Sequence, residues 1–409
     1  MSNSGLAKIR NLVGVDDNII KIFLIRVFHT TSIILATYII IMLKNANYSK
    51  EETGLISAII GISYVPMSII AGVLSDRLGR KVTFNFFKII TIVLLAISLF
   101  LNNGFIMHLL LIIVVCINNG LEPVIVSTAI DFSKEEERKN TFAMLQLGTS
   151  IGMAGISLVA SSLFDLNYKL FFTILLVFSI VSTMLLKNLY KDYIPKKKES
   201  EKKASKKKQN KKKNYIKIDT KNKTLIIFSI ILITFSIASS QLTYGLTYKV
   251  EAINKSETEK WVGLLSFIYY SAFFIFNLVV SKITKKNSCI VNIIIAGIIY
   301  TIGMALIAFN SNIILICCAM CFWATAQLLI NINNGLFIAE NSDENNRGTY
   351  NAIFTIISGS GTVLGPLLSG YILGAFGLFQ LWSCMVLICF VGTMAICGVY
   401  YFRKKNSYE

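Results

Sequence analysis

The chain has 409 residues, of which 54% are hydrophobic and only 15% charged, whereas a soluble globular protein carries charge on about a quarter of its residues. With a mean hydropathy of +0.64, that balance excludes an ordinary soluble domain and indicates an all-α membrane protein. The net charge of +18 does not indicate a nucleic-acid partner: +12 of it sits between residues 187 and 223, where sixteen lysines face four acids and the only aromatic residues are tyrosines near the ends.

A hydrocarbon core about 30 Å thick takes roughly 20 apolar residues per helical crossing. Twelve such runs are predicted, at 19–43, 52–74, 82–102, 105–130, 140–163, 168–188, 223–246, 260–281, 289–309, 312–338, 348–374 and 378–402. The first follows Asp16, Asp17 and Lys21 without a small-residue cleavage site behind it, so it reads as a retained helix. The lysine-rich stretch 189–222 falls after the sixth run as a cytoplasmic linker, and it divides the chain into an N-terminal six-helix bundle, 1–188, and a C-terminal one, 223–409.

Positive charge in short loops stays on the cytoplasmic side. Arg77, Arg80 and Lys81, then Lys134, Arg138 and Lys139, then Lys282, Lys285 and Lys286, Arg347, and Arg403 to Lys405 occupy one set of connections, and the opposite set is poorer. Both termini are therefore expected on the cytoplasmic face of the cell membrane. The eight cysteines lie within or at the ends of apolar runs and read as small packing residues, with no metal site.

The two halves repeat. DFSKEEERKNTFAMLQLGTSIGMAGIS returns 209 residues later as ENSDENNRGTYNAIFTIISGSGTVLGP, with Asp131 on Glu340, Arg138 on Arg347 and Gly152 on Gly361. Parallel halves of this kind build many secondary transporters, which place the substrate near the bilayer midplane between them.

Between the second and third runs stands AGVLSDRLGRK, residues 71–81. Gly72 and Gly79 permit a tight turn and close backbone approach, while Asp76, Arg77, Arg80 and Lys81 are too costly for the membrane core and mark its edge. Those six residues, in that order, resemble the loop signature of the major facilitator superfamily, and the twelve runs, the linker and the repeat agree with it. The resemblance implies two pseudo-symmetric six-helix bundles. It also implies a conformational latch in which Asp76 docks at the start of the eleventh helix near residue 348 and Arg80 pairs with Asp131. The second half has SKITKKNS at the equivalent loop, so one latch is well formed.

The resemblance further implies that the first, fourth, seventh and tenth helices line a cavity. Arg26, Thr30 and Thr37 share one face of the first, with His29 beside them. Asn118, Asn119 and Glu122 cluster in the fourth, at a depth compatible with an Arg26–Glu122 pair. Tyr244 belongs to a polar stripe on the seventh, and Trp323, Gln327, Asn331 and Asn334 form one on the tenth. IDFSKEEERK followed by FAMLQ, with an arginine early in the first helix, is similar to bacterial multidrug/proton antiporters. The chain departs from their pattern at Cys116, at Ile156 and Ser157, and at Gln146 and Gln327.

No phosphate-binding loop or catalytic constellation is present, so an enzyme is not expected. The expectation is a monomeric transporter without cofactor that exports small amphipathic molecules against a proton gradient. Desolvation would favour the neutral form of Glu122 and an approaching Arg26 its charged form, making Glu122 the proton carrier, Arg26 its modulator and His29 an accessory. The alternative is uptake of a nutrient or organic anion on the same fold.

Overall fold

The computed structural model describes residues 17–133, 137–164, 166–190, 220–283, 287–341 and 347–406. Most of the expected linker, 191–219, lies outside the described residues. The described residues are helical throughout, apart from turns.

Among the described residues, eleven helical stretches are long and apolar enough to cross a membrane. They are Asp17–Asn45, Lys50–Leu78, Arg80–Phe100, Phe105–Phe132, Asn140–Leu163, Tyr168–Leu189, Thr224–Leu242, Cys289–Phe309, Ile313–Ile338, Ile353–Ala375 and Leu378–Phe402. The helix Thr258–Ile283, 26 residues long, takes the eighth place among them, and the twelve are called crossings in chain order below. Leu55, Ile62, Ile69, Val82, Phe86, Ile89 and Val93 project outward, as side chains facing hydrocarbon do, while every helix satisfies its own backbone.

Helix boundaries recur after 209 residues. The third crossing, Arg80–Phe100, returns as Cys289–Phe309, and the fourth, ending at Phe132, as the tenth, ending at Asn341. The first crossing is interrupted between Thr30 and Leu35, and the seventh at Ser240–Leu242 in the equivalent place.

These interruptions replace the continuous runs expected from hydropathy, and each has a local cause. In the first crossing, Thr30 and Thr31 turn their hydroxyls onto the carbonyls of Val27 and Phe28, and such back-bonding competes with the helical ladder. The fourth breaks at Leu121, where Pro123 requires a new start because it has no N–H to donate. The eleventh breaks between Gly359 and Gly361.

The bundles meet along two seams, the second crossing against the eleventh and the fifth against the eighth. At the first seam the backbones almost touch: a Cβ on Gly54 would lie 2.6 Å from the Pro366 carbonyl oxygen. That contact lies early in the second crossing and late in the eleventh. The bundles are thus closed on the side opposite the AGVLSDRLGRK turn, called the far side here.

Candidate functional site

Two adjoining hollows of about 490 and 400 Å³ open between the bundles. Gln146, Gln327 and Asn331 line both. The first continues along Ser236, Asn334, Phe354 and Ser358, and the second is backed by Asn119, Thr149, Ser240, Tyr269 and Phe273. Of the expected pathway residues, Asn119, Gln327 and Asn331 therefore face the cavity.

Arg26 and Glu122 stand just behind its wall. The Arg26 guanidinium is buried, contacts the Glu122 carboxylate, and donates through Nε to Thr149 Oγ1 at 2.8 Å. The break at Leu121 makes Glu122 the first residue of a new helical segment, where a carboxylate is favoured by the free N–H groups and the dipole.

The other expected pathway residues lie elsewhere. Both His29 and Thr30 are fully buried inside the N-terminal bundle. His29 packs 6.1 Å from the Phe84 ring, and neither ring nitrogen has a hydrogen bond of good geometry among the described residues; Thr30 bonds to its own helix. Trp323 is buried behind the cavity wall and donates to Tyr300 at 2.7 Å. Tyr244 is in the far-side closure: its hydroxyl donates to the Lys50 carbonyl at 2.6 Å, beside a Thr53–Tyr248 hydrogen bond of 2.7 Å. Lys44 pairs with Glu251 at 3.1 Å, and Asn45 donates to Glu259 at 3.2 Å. These contacts join the two bundles, and no motif in the sequence points to them.

The AGVLSDRLGRK turn has a defined geometry. Gly79, at φ +93°, ends the second crossing and starts the third, a conformation suited to glycine. Arg80 reaches Asp131 at 3.3 Å, Asp76 at 2.5 Å and Ser75 at 2.8 Å. Asp76 remains 73% exposed; the side chains near residue 348, where it was expected to dock, lie outside the described residues. Among the described residues, nothing lies within 4 Å of a Cβ built on Gly72. Arg77 is exposed and Lys81 half-buried.

One buried charge escaped the sequence reading. Lys88, on the third crossing, is fully buried, and its amine donates to Asn118 Oδ1 at 2.7 Å, while the Asn118 amide donates to the Val114 carbonyl at 2.8 Å. The only signal available was a lysine at the seventh position of the apolar run 82–102.

The family model described as the Major Facilitator Superfamily matches residues 22–362. The chain belongs to that superfamily and is a membrane transporter of that fold. Among solved structures, a variant of the nucleoside transporter NupG is similar at a TM-score of 0.75 and 16% identity, over 94% of this chain and 100% of that one. The POT family transporter PepTSo gives 0.72 and 13%, over 95% and 99%. The human organic anion transporter MFSD10 (TETRAN) gives 0.67 and 11%, over 93% and 100%. Such identities establish the shared fold alone. No curated protein matches the chain by sequence.

Proposed function

We propose that this chain is a secondary active transporter of the cell membrane that exports small amphipathic molecules in exchange for protons by alternating access, with both termini cytoplasmic. The observation that carries the reading is the Arg26–Glu122 pair, set behind the cavity wall and joined to it through Thr149. A carboxylate that alternates between an arginine partner and a proton links protonation to the position of the first crossing against the fourth. The far-side contacts support a state whose cavity faces the terminal side, and the Arg80–Asp131 contact belongs to the latch that holds the opposite state.

An organic-anion importer is less well supported, because Glu122 already satisfies Arg26, leaving no free cation at the wall among the described residues.

A thermal-shift screen of drugs, sugars, amino acids and organic acids supplies a tracer, since a compound that binds the folded state raises the melting temperature. In proteoliposomes, an imposed pH gradient then drives that tracer through the wild type but not through Glu122→Gln. Gradient-driven transport undiminished in the variant overturns the role of Glu122. Tracer excluded from overproducing cells indicates export, and accumulation indicates uptake.

A further inference from the structure

The two halves carry different chemistry at equivalent positions. Under the 209-residue repeat, Arg26 corresponds to Phe235 and Glu122 to Asn331. Where the N-terminal bundle has an ion pair, the C-terminal bundle has an apolar ring and an amide, and both line the first hollow.

Asn331 is the end of a directed hydrogen-bond chain. An indole N–H can only donate, and that of Trp323 donates to the Tyr300 hydroxyl at 2.7 Å. The Tyr300 hydroxyl has two acceptors in reach, and the shorter contact is to Gln327 Oε1 at 3.3 Å, against 3.5 Å to the Phe235 carbonyl. That fixes the amide of Gln327, whose Nε2 donates to Asn331 Oδ1 at 3.1 Å. Asn331, which lines both hollows, keeps its remaining group, the Nδ2 amide, as a donor with no acceptor among the described residues. Chains of this kind polarise their members, so the terminal N–H is primed for an acceptor.

One turn further on, Asn334 lines the same hollow, and its side-chain oxygen is buried without a hydrogen-bond partner among the described residues. A turn of the Asn334 side chain toward the hollow sets this unsatisfied acceptor about one helical turn from Asn331. Tyr269, Tyr270 and Phe273 line the adjoining hollow, and their rings suit a planar partner. Among the described lining residues of both hollows there is no charged side chain.

We infer that the transported molecule is an uncharged planar heterocycle or aryl amide that places a carbonyl oxygen on Asn331 and a nearby N–H on Asn334. This rests on the reading of the hollows as the transport cavity and adds to it the class of substrate. Gln327 and Tyr300 are positioning residues that hold Asn331 in its donor orientation.

The test is binding by thermal shift and by calorimetry on the purified full chain, with no proton gradient, so its outcome is separate from that of the Glu122→Gln experiment. The probes are nicotinamide, nicotinate, 1-methylnicotinamide and N,N-dimethylnicotinamide, which vary charge and donor on one frame, with uridine and caffeine as larger uncharged heterocycles. Nicotinamide or the larger uncharged probes are expected to stabilise the wild type, whereas nicotinate and 1-methylnicotinamide do not. N,N-dimethylnicotinamide, lacking the N–H, should bind about tenfold more weakly than nicotinamide, the effect of one hydrogen bond.

Asn331→Leu should lose about tenfold for the uncharged probes, and Asn331→Asp should shift preference toward 1-methylnicotinamide. Tyr300→Phe should weaken carbonyl-bearing probes while leaving the fold intact, and it carries the test if the Asn331 variants do not fold. Charged members binding as well as nicotinamide, no stabilisation by any uncharged probe, or unchanged affinity in Asn331→Leu overturns the inference.

Discussion

The hydroxyl of Tyr244, on the seventh crossing, donates to the backbone carbonyl of Lys50, at the start of the second, at 2.6 Å. The bond crosses the boundary between the bundles, and Thr53 adds a second contact to Tyr248 at 2.7 Å. Both bonds must break if the far side is to open. Each is worth about 1 kcal/mol, so Tyr244→Phe shifts the equilibrium roughly fivefold toward far-side opening. A Ser57→Cys reporter, buried on the second crossing and lining the second hollow, should then react several-fold faster with an impermeant maleimide applied from that side.

Gly54 makes the converse point. Any side chain there meets the Pro366 carbonyl and the Gly370 Cα. Gly54→Leu is expected to abolish far-side closure and reduce tracer transport in proteoliposomes to below about a tenth of wild type, while the protein still elutes as a single species. The clash exists only in the closed arrangement, so folding tolerates what transport does not.

Lys88 and Asn118 are expected to behave as a unit. Removing Asn118 leaves a buried amine without its acceptor, whereas replacing the lysine with an apolar residue of similar length removes the demand itself. Asn118→Leu should lower the melting temperature more than Lys88→Met, and the double variant should be more stable than Asn118→Leu alone. A double-mutant cycle in thermal unfolding measures this coupling, and strict additivity speaks against it.

Arg80 separates stability from conformational balance. Its contacts to Asp131 and Asp76 are partly exposed, with the two acids 40% and 73% accessible, and such pairs contribute about 0–1 kcal/mol. Asp131→Asn should leave the melting temperature nearly unchanged while altering the ratio of inward- to outward-facing protein and the exchange rate of tracer.

Much of the architecture was legible because it rests on repetition. Twelve apolar runs, a 209-residue period and a glycine-bounded charged turn are properties of the chain itself, and the third and ninth crossings begin and end 209 residues apart. The interruptions were not legible, since hydropathy is blind to a threonine turning back on its own helix at Thr31 or to a restart at Pro123. Those breaks decide which way side chains face. Tyr244 belongs to a polar stripe that a straight helix would aim at the cavity, but the turn at Ser240–Leu242 directs it onto the second crossing.

Lys88 was not legible for a related reason. A lysine about 12 Å from its helix end by helical rise reads as a side chain that extends to the membrane surface. Only the packing of the third crossing against the fourth shows that it turns inward to Asn118. The Arg26–Glu122 contact was legible in depth, but its link to the cavity through Thr149 depends on how the fifth crossing packs against the first.

Alternating access is tested most directly by paired distances across the two faces. Asn102 and Ser311 are equivalent exposed residues on the far side, and Leu78 and Asn287 on the terminal side. Spin labels at each pair, in a background with the eight native cysteines replaced, report both openings by double electron–electron resonance. On lowering the pH, or on adding nicotinamide, a population should appear in which Asn102–Ser311 lengthens while Leu78–Asn287 shortens. Distances that stay fixed under all conditions, or that change together in the same sense, contradict an alternating transporter.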